Sequence, residues 1–591
     1  MGKKYFKMTA DEILKDLEEG DVKNERCCLE EYRSCDVAQL FVAIAYLIEK
    51  NKPKDDKDNF RKKAYLTFLD GNKDKFTKAW EYIDYLIDGK KDVPDQMKIR
   101  ILKGGPYKIG GYYLENYKLQ EIRGASVLLT HVEETVIPGF ISDRFIRECI
   151  IYSGGGNIFA ILPEDCDDKL IIEMERKAQE ILISANVAYY LSEPIPLKEI
   201  LNDKYITRIG KVERELSERK KMKLFVPVKP ELRGDEIINL ESGEKIKIDI
   251  KKKLNTEDTE KKLCTSCGRR QALYEGSSEE SEKLYLCASC FCKRQVGKET
   301  KILKYHNLYE LHTGCKVAKK LETLSDINDE HIAVVYGDGN NMGGVIQQFN
   351  KITQMMEFSR NVKRITEEAV FKAMLECNID KFEVVGLGGD DIFVILPGKK
   401  AIKYSVKLID LYNKEFEKYL STDSSQKSTL SVGVAIGKTS MPIQILLETA
   451  EGLLKDAKQL SKQQENDNGS LSYVIMDSFV NDGAFKEKNG IKNTLLPYTY
   501  DVACKVLRYA NKIKGNNRTK IRNILNAFEN AESIEEANLF LEYLNAKRKK
   551  DEQKIELDCI EPYEVCGGYY KKDNQYYYIW RDILDLLKFA K

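Results

Sequence analysis

One stretch constrains this chain more than any other: Lys-Phe-Glu-Val-Val-Gly-Leu-Gly-Gly-Asp-Asp-Ile-Phe-Val-Ile-Leu-Pro-Gly, residues 381–398. An apolar run, Phe382 to Val385, leads into Gly386-Leu387-Gly388-Gly389, and a second, Ile392 to Leu396, is closed by Pro397-Gly398. Glycines supply the positive φ of a tight turn and Pro-Gly ends strand pairing, so the stretch predicts a β-hairpin. Its tip carries two adjacent carboxylates, Asp390 and Asp391. Such a pair repels itself unless a cation lies between it and a ligand, although Gly-Asp turns also occur on ordinary surfaces.

The hairpin occurs twice. Gly154-Gly155-Gly156-Asn157 lies 234 residues before Gly388 to Asp391, and Ile158-Phe159-x-Ile161-Leu162-Pro163 matches Ile392-Phe393-x-Ile395-Leu396-Pro397 at that offset. The same shift lays Ile101 to Gly105 over Val335 to Gly339. Two copies of one domain are implied. On this alignment Gly156 and Asn157 replace the hairpin acids in the first copy, and Gly104 replaces Asp338.

In the second copy a buried strand, Ile332 to Tyr336, delivers Asp338 within Gly337-Asp-Gly-Asn-Asn-Met-Gly-Gly344, and a helix periodic over Phe358 to Met374 crosses to the hairpin. Strand–helix–strand order puts both strands in one sheet, so Asp338, Asp390 and Asp391 are expected to converge. A strand over Leu430 to Gly437 follows, then a helix opened by Pro442-Ile443. Lys455 and Lys458 lie three apart on one face of that helix, a spacing able to hold phosphates and equally common for solvated lysines. Carboxylates from neighbouring strands suit Mg²⁺ (or Mn²⁺) shared with substrate phosphates, the chemistry of nucleotidyl transfer. Gly339, Gly388 and Gly389 let the backbone approach those phosphates.

Between the copies, Cys264-Thr-Ser-Cys267 and Cys287-Ala-Ser-Cys290 stand nineteen residues apart. Two such knuckles present four thiolates to a tetrahedral, closed, structural Zn²⁺. The fifteen cysteines are otherwise scattered and odd in number, which fits a reducing cytoplasm. No apolar run reaches membrane length, and no signal-peptide core opens the sequence. Lys plus Arg (96) balances Asp plus Glu (95), so net charge does not point to nucleic acid. The ends read as helices, including Thr499 to Ile513, Thr519 to Phe528, Ile534 to Ala546 and Trp580 to Phe589, with basic segments such as Lys547-Arg-Lys-Lys550 interleaved.

Gly-Gly-Asp-Asp on a hairpin, Tyr-x-Asp-Gly-x-Asn-Met-Gly before it, and Ser-Val-Gly-Val-Ala-Ile-Gly after it resemble a GGDD palm domain. With the degenerate first copy (Arg123-Gly-Ala-Ser126, Ser153-Gly-Gly-Gly-Asn157), the four-cysteine insert and the helical C-terminus, the chain resembles the large subunit of type III CRISPR RNA-guided effector complexes over about residues 97–591. The resemblance implies an α+β multidomain fold with two ferredoxin-like palms: a helical region over 1–96, a degenerate palm over 97–245, a zinc-binding insert over 246–300, the GGDD palm over 301–480 and a helical domain over 481–591. It further implies synthesis of cyclic oligoadenylate from ATP when target RNA is bound. Asp338, Asp390 and Asp391 would be the catalytic metal ligands, and Ser153, Gly154, Gly155, Gly156 and Asn157 would help hold another ATP. The implied partners are guide RNA, target RNA, the small subunit and the guide-end-binding subunit.

The chain departs from the family pattern in two places. None of His131, His306, His312 and His331 is followed by Asp, so no His-Asp nuclease is expected. At 340 the family often has Asp where this chain has Asn, which leaves three carboxylates. The same palm can join adenylate to S-adenosylmethionine instead, and a silent RNA-complex scaffold is a third reading, opposed by the intact acids.

Overall fold

The computed structural model describes residues 98–588 except 117, 146–148, 201–204, 223–236, 240–244, 248–252, 255–261, 278–282, 300–303, 318–320, 322, 329, 350–351, 421–426, 465–466, 477–486, 489, 514–517 and 548–553. The helices expected over residues 1–96 lie outside the described residues. The described chain divides into two units, one running to Lys301 and including Gly343–Arg364, the other comprising Ile302–Met342 and Ile365 onward.

In the first unit, β1 (Lys98–Tyr107), α1 (Leu119–His131), β2 (Ile150–Gly154), β3 (Asn157–Pro163), α2 (Lys169–Leu182) and β4 (Asn186–Leu191) follow in turn. The strands pair antiparallel in the order β2-β3-β1-β4. Strand β1 is buried along nearly its whole length, the pattern of a strand covered on both faces. Helices α2 and α3 (Tyr205–Met222) pack on this sheet. The cysteine insert adds a hairpin, β5 (Tyr274–Ser277) and β6 (Lys283–Leu286), and α4 (Ala288–Glu299).

The second copy repeats the plan. It runs β7 (His331–Asn340), α5 (Ile352–Glu376), β8 (Glu383–Gly388), β9 (Asp391–Pro397), α6 (Gly398–Leu420) and β10 (Thr429–Lys438), with sheet order β8-β9-β7-β10. The sheet is extended by α7 (Ile443–Lys462) and β11 (Ser470–Met476), the latter parallel to β10. Both copies therefore have the β-α-β-β-α-β ferredoxin-like plan. They also share an irregularity: the register slips at Ile151 in one hairpin and at Val385 in the other, again 234 residues apart. A bulge kept at the same place in both hairpins bends the strand and turns the tip.

One sequence alignment is corrected by the register. Gly104 pairs with Ile158, and Ile392, the residue 234 later, pairs with Gly337 rather than Asp338. The first strands thus correspond at an offset of 233, because the second copy has one more residue between its first strand and its hairpin. Gly105, not Gly104, occupies the place of Asp338. A one-residue slip moves every side chain to the other face of a strand, so the difference is physical.

The four C-terminal helices form as α8 (Tyr500–Ile513), α9 (Arg518–Asn530), α10 (Ile534–Ala546) and α11 (Trp580–Lys588). They are joined by a small sheet. Its strands β12 (Glu564–Cys566), β13 (Tyr569–Lys572) and β14 (Gln575–Tyr577) pair antiparallel, and Ile491–Lys492 joins β14. The strands are three or four residues long, too short for a periodic signal.

Candidate functional site

The hairpin forms as its glycines require. Gly388 pairs with Asp391 across the turn, and Gly389 takes φ +63°, a conformation L side chains rarely adopt. Strand β7 lies directly beside β9, which carries Asp338 to the hairpin acids. Tyr336 pairs with Gly433, whose missing side chain would meet Ala450 and Leu454 of α7. Tyr336, Asp338 and Asn340 alternate onto that face, whereas Gly339 faces Tyr412 of α6 and the Asp390 carboxylate. The two helices cover opposite faces, and the acids meet at the end of the sheet.

Lys458 of α7 donates to the Asp338 carboxylate and to the Gly339 carbonyl (3.3 Å). Lys455 does not join it. Its side chain is 74% exposed and pairs with Glu451 on its own helix at 3.6 Å. Burial, Asp338 and Asp391 together push the Asp390 carboxyl up to about 7. Desolvation at the hairpin tip and Asp338 push Asp391 up to about 6, with Lys458 pulling the other way, although Asp391 remains exposed on its outer side. Crowded carboxylates with one lysine between them carry uncompensated negative charge, the condition a divalent cation relieves. The donor set fits Mg²⁺ or Mn²⁺ shared with phosphates.

Asn340 is not a displaced ligand. Its amide donates to Thr429 Oγ1 (2.8 Å) and Ser461 Oγ (2.9 Å), and its carbonyl oxygen accepts from Ser431 Oγ (2.8 Å). Buried and fully engaged, it ties β7 to β10 and α7 two residues from Asp338.

The first copy is built differently. Asn157 Oδ1 accepts from the Gly104 amide (3.1 Å), Ser153 Oγ donates to the Glu133 carbonyl (2.5 Å), and Gly154, Gly155 and Gly156 all have positive φ. A side chain at Gly105 would stand 2.4 Å from the Gly156 carbonyl oxygen, so a carboxylate at the place of Asp338 does not fit. Lys103, at the place of Tyr336, is buried and paired with Glu213 of α3.

Cys264, Cys267, Cys287 and Cys290 bring their four sulfurs within 4.8 Å of one another. A tetrahedral Zn²⁺ with bonds of about 2.3 Å spans such a group. Three of the four cysteines are buried. Gly268 turns the first knuckle at φ +63°, and its amide donates to the Cys264 carbonyl (2.8 Å). Sequence reasoning missed the surrounding shell. Asn116 Nδ2 donates to Cys290 Sγ (3.1 Å), and Arg270 lies 3.7 Å from Cys287 Sγ and pairs with Glu115. Fully buried Lys293 also pairs with Glu115 (2.8 Å). Burial opposes ionisation of Glu115, yet Lys293 and Arg270 hold its carboxyl below the usual range. Donors to metal-bound thiolates are what the second shell of a zinc site supplies. Helix α4 is clamped onto α1 by two glycines, since a Cβ at Gly124 would lie 1.8 Å from the Lys293 carbonyl oxygen and one at Gly297 1.7 Å from that of Gln120.

Residues 331–467 match the family model of the Cas10/Cmr2 second palm domain. This chain carries a Cas10/Cmr2 second palm. Its fold as a whole is similar to chains in crystal structures of Csm1–Csm4 cassettes. For the cassette in complex with pppApApA the identity is 13%, with 88% of this chain and 73% of that chain covered at a TM-score of 0.52. For the cassette in complex with cA4 the figures are 13%, 79%, 68% and 0.51, and for the one with one ATP 14%, 80%, 69% and 0.51. No curated protein matches the sequence. The palm match covers residues 331–467, and the likeness to the Csm1–Csm4 cassette chains is one of fold.

Proposed function

We propose that this Cas10-type chain is the nucleotidyltransferase of its effector complex and joins ATP into cyclic oligoadenylate when target RNA is bound. The reading is carried by the meeting of Asp338, Asp390 and Asp391 beside Lys458, inside the stretch that matches the Cas10/Cmr2 second palm. It is supported by the ligands of the similar cassettes, namely ATP, pppApApA and cA4, which one adenylate-joining reaction would connect.

Asp338, Asp390 and Asp391 would hold Mg²⁺ or Mn²⁺, which supplies activation of a ribose hydroxyl and neutralises charge on departing pyrophosphate. Lys458 balances Asp338 and is placed to turn its ammonium onto a phosphate oxygen. The approach is bare, since nothing lies within 4 Å of where a Gly389 side chain would begin. Ser153 to Asn157 would bind another ATP through the backbone, and the exposed Lys455 would meet phosphates farther out. The four thiols would hold structural Zn²⁺. Guide RNA, target RNA and the other effector subunits are the proposed partners, and 97–245, 246–300, 301–480 and 481–591 the proposed domain limits. Among the described residues no helix is long and apolar enough to cross a membrane, and the cytoplasm is the proposed compartment.

The test is product analysis of the chain assembled with its partners and guide RNA, given ATP and Mg²⁺, with and without matching target RNA. Adenylate products should require the target RNA and vanish in the Asp390→Ala/Asp391→Ala variant. Label incorporated from GTP alone, or no nucleotide consumed by either protein, overturns the reading.

A further inference from the structure

Beneath the hairpin acids lies a polar group that the chemistry above does not use. Tyr412 of α6 is fully buried; its hydroxyl lies against Ser428 and makes no well-formed hydrogen bond among the described residues. Ser428, beside it, directs its own hydroxyl to the Asn340 carbonyl (3.0 Å). A buried hydroxyl without a partner costs about 1–3 kcal/mol, so its presence needs a reason. The surroundings supply one. The Tyr412 hydroxyl stands 2.9 Å, and Asp390 Oδ2 2.8 Å, from the point where a Cβ at Gly339 would sit. The two oxygens border one small space, and it exists because residue 339 has no side chain.

The first copy is an internal control. From the hairpin onward the offset of 234 also aligns the buried positions of the following helices: Leu170, Ile171, Met174, Ala178 and Leu182 of α2 correspond to Tyr404, Ser405, Leu408, Tyr412 and Phe416 of α6. Asp390 corresponds to Gly156 and Tyr412 to Ala178. The space is closed there, since a Cβ at Gly156 would meet Ile109 Cδ1 at 2.7 Å and the Pro106 carbonyl oxygen at 3.1 Å. Where the acid is missing, the tyrosine is missing too.

We infer that Tyr412 is a positioning residue for Asp390: its hydroxyl, which borders Asp390 Oδ2 across the gap at Gly339 without bonding to it, donates to that oxygen when a cation binds and turns the carboxylate toward the cation and nucleotide. Tyr412 touches neither cation nor nucleotide and acts through the acid alone. A hydrogen bond to a charged acceptor in a shielded place is strong and directional, and removing such a partner of a metal ligand typically costs 10–100-fold in metal affinity. The inference rests on the reading of Asp338, Asp390 and Asp391 as cation ligands.

The test is Mn²⁺ binding to the purified full chain, followed by the paramagnetic resonance of free Mn²⁺, together with thermal melting without metal. Four proteins are compared: wild type, Tyr412→Phe, Tyr404→Phe and Asp338→Asn. Tyr404 lies on the same helix, is equally buried and also has an unpartnered hydroxyl, but it borders Cys377 instead of the acids. Tyr412→Phe should weaken Mn²⁺ binding by about tenfold with its melting temperature kept, while Tyr404→Phe leaves binding unchanged. Wild-type affinity in Tyr412→Phe overturns the inference and leaves the acid site standing, and so does equal weakening in Tyr404→Phe. Mn²⁺ binding that Asp338→Asn does not disturb overturns the cation-site reading, and the inference with it.

Discussion

At the scale of single residues, the acid cluster shows how position decides the role of a side chain. Two lysines one helical turn apart look interchangeable, but α7 directs Lys458 at Asp338 and leaves Lys455 in solvent with Glu451. Lys458→Met should therefore lower target-RNA-dependent ATP consumption roughly 100-fold. Lys455→Met should change it only a few-fold, which ATP consumption by the assembled complex will show. Asn340 makes the converse point. Its amide approaches Asp467 Oδ2 at 3.2 Å, so Asn340→Asp would set a buried carboxylate against the half-buried one of Asp467. That substitution should cost about 1–3 kcal/mol, read as a lower urea midpoint, and should add no second Mn²⁺ equivalent.

At the scale of elements, two contacts are set by what cannot be enlarged. Helices α1 and α4 approach backbone to backbone at Gly124 and Gly297, and a methyl group at either must separate them. Gly297→Ala should destabilise the first unit by about 1–3 kcal/mol, seen as a lower melting transition, and should speed zinc loss to a chelator. In α11, Asp582 is fully buried between Thr494 Oγ1 (2.7 Å) and the Leu495 amide (3.2 Å). Burial raises its carboxyl to about 7, against about 3.9 in an unfolded chain. The folded state thus holds this proton more tightly. The stability Asp582 contributes is complete below about pH 4 and is lost as pH rises through 7. Asp582→Asn should be more stable than wild type at pH 8 by roughly 1–3 kcal/mol and show no such gain at pH 4. Urea titrations at the two pH values, followed by the fluorescence of Trp580 in the adjoining turn, will decide it.

At the scale of the whole molecule, one chain holds two copies of a fold with opposite chemistry. The second keeps acids balanced by a helix lysine; the first has Lys103 on the strand and Glu213 on the helix, with no room for a carboxylate at Gly105. The thiol centre belongs to the first unit. Metal analysis should give one zinc per chain, and removing it should lower a single melting transition, that of the first unit. An unchanged melting profile after complete chelation would show that the thiols do not support the fold.

The amino-acid sequence alone determined the parts written in consecutive residues. The hairpin, its repetition at Gly154 to Asn157, the paired cysteine knuckles and the C-terminal helices were legible because turn chemistry, ligand spacing and helical period are local. Tertiary structure decided the rest. The one-residue shift of the first strand emerges only from cross-strand pairing, since an apolar strand matches itself nearly as well when displaced by one. Which lysine meets the acids depends on how α7 lies on the sheet. The clamp of α4 on α1, the engagement of Asn340 and the approach of the Tyr412 hydroxyl to Gly339 join residues from about 70 to more than 170 positions apart. No local pattern encodes such neighbours, because they are brought together only when apolar faces are buried against one another.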